Sequence, residues 1–359
     1  MRKLLCSLIC CCGPFISAQN NPQISFFNEQ KGADLAILFA DTTLVPQLQE
    51  LHAEIRMGML DLSPERAQVL RELNAAQIPV VAWLLLPEEQ GYWFHSGNAD
   101  EAVKRYMEIR DWSKDQGIEF SGIGIDLELD MQDINLFKDH KFQLLTKIIG
   151  RLYAKSEFES AREAYRRLIQ SIRDDGYSIE SYYVPFIRQE SLDGRTALQQ
   201  ATGFMDLETD KDIPMLYTSF MGNPFGTLKV MALDKNLKYV ALGSTGGGFD
   251  PSMPSMTWDD LAYDLRLASR TAEEVHIFCL EAAVEKGFLP RLIGFDFDAP
   301  IPEYPDQVAP VEDLGQNVMR VSTVLNYPTV FLGVTTLLLI AVLLGLFVLI
   351  RWPIRKLFR

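Results

Sequence analysis

The chain has 359 residues, 48% hydrophobic and 23% charged, a balance that excludes a disordered protein and suffices for one large domain or two ordinary ones. Its formal charge is −14, and all 48 acids lie between residues 19 and 328. A body that acidic repels phosphate backbones and anionic lipid surfaces, so no nucleic-acid partner is expected.

From the N-terminus, residues 1–18 read as a secretory signal: Arg2 and Lys3, an apolar run over 4–12, a Gly13-Pro14 break, and Ile16-Ser17-Ala18 at the cut. Cys6, Cys10, Cys11 and Cys12 crowd this segment and only Cys279 lies in the body, which argues against an intramolecular disulfide and a cysteine zinc site. The four histidines are scattered, so no metal is expected.

Short β-rich runs then alternate with amphipathic stretches. Strands are predicted at 34–40, 58–62, 80–86, 122–129, 181–186, 215–219, 239–243 and 275–280, and helices at 45–55, 64–76, 99–116, 134–174 and 258–272. Eight β/α units predict a single-domain α/β fold, a (β/α)8 or TIM barrel, over residues 19–299. A doubly wound open sheet is the alternative, but no GxGxxG or P-loop follows the first strand.

The prolines at 300, 302, 305 and 310 predict an extended stalk over 300–328. Residues 329–350 are uncharged and rich in Leu, Val, Ile and Phe, enough to span a bilayer. Arg351, Arg355, Lys356 and Arg359 follow, which puts the basic tail 351–359 in the cytoplasm and the barrel outside, periplasmic or extracellular.

The fourth strand carries the chemistry. Alternation puts Ile123, Ile125, Leu127 and Leu129 on one face, and Gly122, Gly124, Asp126, Glu128 and Asp130 on the other. Three carboxylates rising toward the C-terminal mouth of a barrel are costly as packing, and their crowding raises at least one pKa, as a general acid requires. Pairing with a base such as Arg188, or a cation site, would also account for clustered acids.

Residues 122–128, Gly-Ile-Gly-Ile-Asp-Leu-Glu, resemble the strand-four signature of glycoside hydrolase family 18, the chitinase-like barrels, written DGxDxDxE. Asp126 and Glu128 fall on its last Asp and Glu, while Ser121 and Gly124 stand at its first two Asp positions. The resemblance implies that Glu128 protonates the glycosidic oxygen and that Asp126 orients the substrate's 2-acetamido group, which itself attacks the anomeric carbon. Met215-Leu216-Tyr217-Thr218 is similar to the family's MxYD motif without its Asp, which implies that Tyr217 hydrogen-bonds the acetamido carbonyl.

Asp130, Trp93 of the aromatic loop 88–95, Tyr183, Gln189 and Glu281 are candidate substrate-binding residues at or past strand ends. Glu281 could instead form a conventional retaining pair with Glu128. The glycine run at 243–250 reads as a mouth loop. Together these readings imply an exported, membrane-anchored glycoside hydrolase that needs no cofactor and whose partners are a glycan containing N-acetylhexosamine and, through 329–350, the membrane. Two other readings stand beside it: an inactive glycan-binding barrel of a cell-surface complex, and a metal-dependent hydrolase using Asp126, Glu128 and Asp130.

Overall fold

A computed structural model describes residues 21–221, 237–246, 254–302 and 308–327, with 329–330, 333–334 and 336–337. Eight parallel strands pair in chain order and close into a barrel: β1 (Gln23–Asn28), β2 (Glu54–Gly58), β3 (Val80–Leu84), β4 (Gly122–Leu127), β5 (Ser178–Tyr183), β6 (Lys211–Leu216), β7 (Tyr239–Gly243) and β8 (Glu274–Phe278), with β8 returning to β1. Helices cover the outside: α1 (Gly32–Phe39), α2 (Leu44–Glu50), α3 (Pro64–Ala75), α4 (Ala99–Gln116), α5 (Met131–Asp139), α6 (Lys141–Tyr153), α7 (Lys155–Asp174), α8 (Pro185–Leu192), α9 (Ala197–Thr202), α10 (Trp258–Ala268), α11 (Leu280–Glu285), α12 (Leu289–Leu292) and α13 (Val308–Leu325). The fold is the (β/α)8 barrel expected from the sequence.

Local signals place several of these elements. Ser63 caps α3 by accepting the Arg66 N–H, with Pro64 in the first turn. A Thr257–Asp260 capping box starts α10, and Gly117, at φ 64°, ends α4.

Other elements differ from expectation. The run 34–40, expected as the first strand, is α1: Leu35 and Phe39 are buried while Ile37 is exposed, the spacing of a helix face. The first strand lies earlier, at Gln23–Asn28. Strands β2, β5 and β6 start three or four residues before the expected positions. The stretch 134–174 falls within three helices, α5 to α7. Where an extended stalk was expected, residues 308–325 form α13, which packs on α8 and α9. Its Ser322 hydroxyl donates to Glu190, and Glu190 in turn accepts the Leu198 and Gln199 N–H groups that open α9.

Among the described residues no helix is long and apolar enough to cross a membrane. The signal-like 1–18, most of the apolar run 329–350 and the tail 351–359 lie outside the described residues.

The barrel interior is layered. At its base Arg56 makes a bidentate pair with Glu180 (2.9 and 3.1 Å) and bonds Glu54 (2.9 Å), while Lys211 holds Glu274 (2.6 Å). Above them Phe27, Trp83, Tyr182 and Phe278 meet edge-on or, between Phe27 and Phe278, tilted, with ring centroids 4.8–6.4 Å apart.

Candidate active site

The upper end of β4 stands over this aromatic floor. Gly124 makes the floor possible: a Cβ there would lie 2.2 Å from the Tyr182 hydroxyl, so only glycine lets the ring cross the barrel. The Tyr182 hydroxyl then donates to Glu180 Oε1 (2.6 Å) and ties the floor to the ion network beneath.

One pleat higher, Asp126 is 3% exposed and its carboxyl meets that of Glu128. Burial pushes Asp126 well above the usual carboxylate range, and the neighbouring Glu128 and Glu29 push it further. Protonated Asp126 therefore donates a hydrogen bond to Glu128. Glu128 is raised by burial to about 7, with that bond opposing the rise. Asp126 Oδ1 and Trp83 Nε1 lack bonds of ordinary geometry, although the indole N–H is close enough to lower the Asp126 pKa somewhat.

The aromatic loop after β3 is stitched to this strand end. Phe94 N–H donates to the Asp126 carbonyl (2.9 Å) and Glu128 N–H to the Phe94 carbonyl (3.2 Å). Trp93 is buried edge-on against Tyr92, with centroids 5.1 Å apart. Tyr92 sits in the left-handed region at φ 63°, a strained conformation for a bulky residue, and its hydroxyl donates to Glu29 Oε1 (2.5 Å). Burial pushes Glu29 up to about 8, and the charges of Glu281 and Glu128 add to the rise.

Across the β1–β8 seam, Asn28 Nδ2 donates to Glu281 Oε2 (2.9 Å) and Glu29 N–H to Glu281 Oε1 (3.3 Å). Burial raises Glu281 as well. Tyr217, one step beyond β6, stacks on Phe278 at 5.4 Å, and burial together with the charges of Asp126, Glu128 and Glu29 keeps its hydroxyl protonated. Cys279 is buried, its thiol donates to the Gly246 carbonyl (2.8 Å), and burial raises its pKa well above normal, so it is poorly suited as a nucleophile.

The structure thus brings together Asp126, Glu128, Tyr217, Glu281 and Trp93 from the residues expected. Three others go elsewhere. Asp130 caps α5, accepting the Gln132 N–H (2.9 Å) and Lys147 Nζ (3.0 Å), which hold its carboxyl below the usual range despite partial burial. Tyr183 falls on the helix-facing side by alternation and lies close enough to Arg188 to raise its pKa. Arg188 pairs with Asp206 and Asp212, not with the β4 acids. Gln189 is exposed on α8, where it donates to Asp193 (3.3 Å).

Glu29, Asn28, Trp83 and Phe278 complete the site and were not foreseen. The signal for the first two is the short β-prone run Ile24-Ser25-Phe26-Phe27 just ahead of them. Among the described residues, no group of three His, Cys, Asp or Glu side chains is placed to cage a metal ion, and the bonds of Asp130 to α5 and Lys147 separate it from the other two β4 acids.

These features define a (β/α)8 barrel with a hydrogen-bonded carboxyl pair, Asp126 buried and Glu128 half-buried, at its C-terminal mouth. No protein-family model matches the chain, and no curated protein does. Among solved structures it is similar to a D-allulose 3-epimerase from Methylomonas sp. (13% identity, covering 77% of this chain and 93% of that one, TM-score 0.37). It is also similar to a xylose isomerase domain protein from Planctomyces limnophilus (12%, 77% and 96%, 0.37) and a candidate alpha-L-fucosidase from Bacteroides thetaiotaomicron (12%, 82% and 100%, 0.40). At these identities and TM-scores the likenesses bear on neither chemistry nor substrate.

Proposed function

We propose that the mouth of the barrel is a glycosidase centre acting on glycans that contain N-acetylhexosamine. The observation that carries this reading is the hydrogen-bonded Asp126–Glu128 pair over aromatic rings, with Asp126 buried, Glu128 half-buried, and Glu128 poised near neutrality. Glu128 is the acid/base: it protonates the glycosidic oxygen as the bond breaks, and later takes a proton from the attacking water. The acetamido oxygen of the substrate is the nucleophile. Transfer of the shared proton from Asp126 to Glu128 arms the acid and leaves Asp126 anionic beside the acetamido N–H, with no change in the charge of the pair. Tyr217 donates to the acetamido carbonyl, and Trp93 walls the sugar site.

The same reading takes 1–18 as a signal and 329–350 as the anchor that holds the barrel outside the cell. The test is turnover by the full chain of chitin oligomers, peptidoglycan fragments, N-glycans and glucans. Hydrolysis confined to acetamido sugars, reduced ~10²–10⁴-fold in Glu128→Gln, is the expected result. Hydrolysis of sugars lacking that group would remove the role given to Asp126. Affinity without turnover on any glycan would make the barrel a binding module.

A further inference from the structure

The exposed large apolar side chains of the described barrel are concentrated on one side. Apart from Ile37 and Met107, they sit on the insertion after β4, on α8, or on and just beyond α13; the rest belong to the run 329–350. Phe137, Phe142 and Leu145 are 62%, 81% and 50% exposed, and Leu192, Val321 and Val324 join them. Their helices adjoin: α13 packs on α8 and α9, α9 on α6, and α6 on α5. In α6, Phe142, Leu144, Leu145, Ile148, Ile149, Leu152 and Tyr153 make up more than half of the helix, yet none of its residues is buried. A surface helix of a globular protein normally hides one apolar stripe.

Charge on this face runs against the rest of the body. Helices α5 and α6 carry four bases (Lys138, Lys141, Lys147, Arg151) and two acids (Asp133, Asp139) in a chain of net −14; Lys147 and Arg151 are paired with the buried Asp133, and Lys138 and Lys141 stand exposed beside Asp139. Lys141 lies over the Phe137 ring at 5.6 Å, so base and apolar ring share one surface.

The path of the chain points to the occupant. Helix α13 ends at Leu325 and the uncharged run begins at Thr329, so only residues 326–328 separate them. Three residues span at most ~10 Å. We propose that the face made by α5, α6, α8 and α13 rests on an anionic phospholipid bilayer, with Phe137, Phe142 and Leu145 in the headgroup layer and Lys138 and Lys141 among the lipid phosphates. This rests on the reading of 329–350 as a membrane anchor. The acidic body does not forbid it, because at physiological salt exposed charges beyond about 8 Å are largely screened and Lys138 and Lys141 stand exposed beside the apolar rings.

The experiment uses the full chain, with Cys6, Cys10, Cys11 and Cys12 changed to Ser, in phosphatidylglycerol–phosphatidylcholine vesicles containing a spin-labelled quenching lipid. A fluorophore is attached at Phe142→Cys or, as control, at Ile37→Cys on α1, across the barrel. Carbonate extraction of the same vesicles reports the anchor. Quenching at 142 several-fold above that at 37, and weakened by Lys138→Glu with Lys141→Glu, is expected. Equal quenching at the two positions in a chain that resists extraction would overturn the docking and leave the anchor. A chain that is extracted and unquenched would overturn both. Quenching at 142 in an extractable chain would keep the docking and remove the anchor. A chain that sediments as a dimer in lipid-free detergent, with the 142 probe shielded there and not quenched in vesicles, would assign the face to a second copy instead.

Discussion

At the scale of single residues, the site holds carboxyls that burial keeps protonated. Glu128 and Glu29 rise from 4.5 to about 7 and about 8. Groups raised in the folded state bind protons that the unfolded chain releases, so their contribution to stability is full below about 4.5 and is lost as pH climbs through 7 and 8. The thermal midpoint in detergent should therefore fall from about pH 5 to about pH 8, by an amount on the order of a few kcal/mol in stability, and Glu29→Gln should flatten the upper part of that slope. A slope equal in variant and parent would contradict the assignment. Activity, which needs one proton on the pair to arm Glu128, should persist as pH passes 7 and fall only where Asp126, held well above the usual carboxylate range, loses its proton. Because Asp126 donates its bond to the Glu128 carboxylate, Asp126→Ala should move the Glu128 titration upward when followed by NMR. A downward move would mean that charge repulsion, rather than the hydrogen bond, dominates their coupling.

At the scale of elements, what the sequence revealed depends on what each strand carries inward. Strands β3, β4 and β7 are apolar or glycine-rich along their length, and their starts were legible. Strands β2, β5 and β6 open with inward charges (Glu54 and Arg56, Glu180, Lys211) that read as loop until their partners across the barrel are seen. That ion network also hid the depth of the barrel. The short apolar run of α1 cannot be told from a buried strand by periodicity alone, and taking it as β1 concealed Glu29. The Asp126–Glu128 pair was legible because it lies on one uninterrupted strand, whereas Asp130, past the end of β4, answers to the α5 N-terminus instead. Arg56→Met should cost about 3–5 kcal/mol in urea unfolding, since it strands Glu180 and Glu54, and adding Glu180→Gln should recover part of the loss. Gly124→Ala, which drives a methyl into Tyr182, should cost about 1–3 kcal/mol and loosen the floor under Asp126, visible as altered near-ultraviolet circular dichroism.

At the scale of the whole molecule, α13 makes the chain beyond the barrel part of its wall. Ser322→Ala should lower stability by about 1 kcal/mol through the loss of its bond to Glu190, and hydrogen exchange should quicken first at α9, whose opening amides Glu190 holds. Faster exchange confined to α13 would separate the two helices energetically. The β1–β8 seam has a different consequence, for the order of folding events. Asn28 and Glu281 are 253 residues apart and bond across the last pair of strands to meet. Loop-closure entropy makes such a distant contact late and slow. Glu29 gains its enclosure only once that seam has zipped, so an open seven-stranded intermediate would hold a titrating, more water-exposed acid in place of a poised one. The carboxyl cluster at the mouth thus doubles as a clasp: under the proposed function, regained turnover during refolding should follow the slowest kinetic phase, and no fragment lacking either terminal strand should possess it.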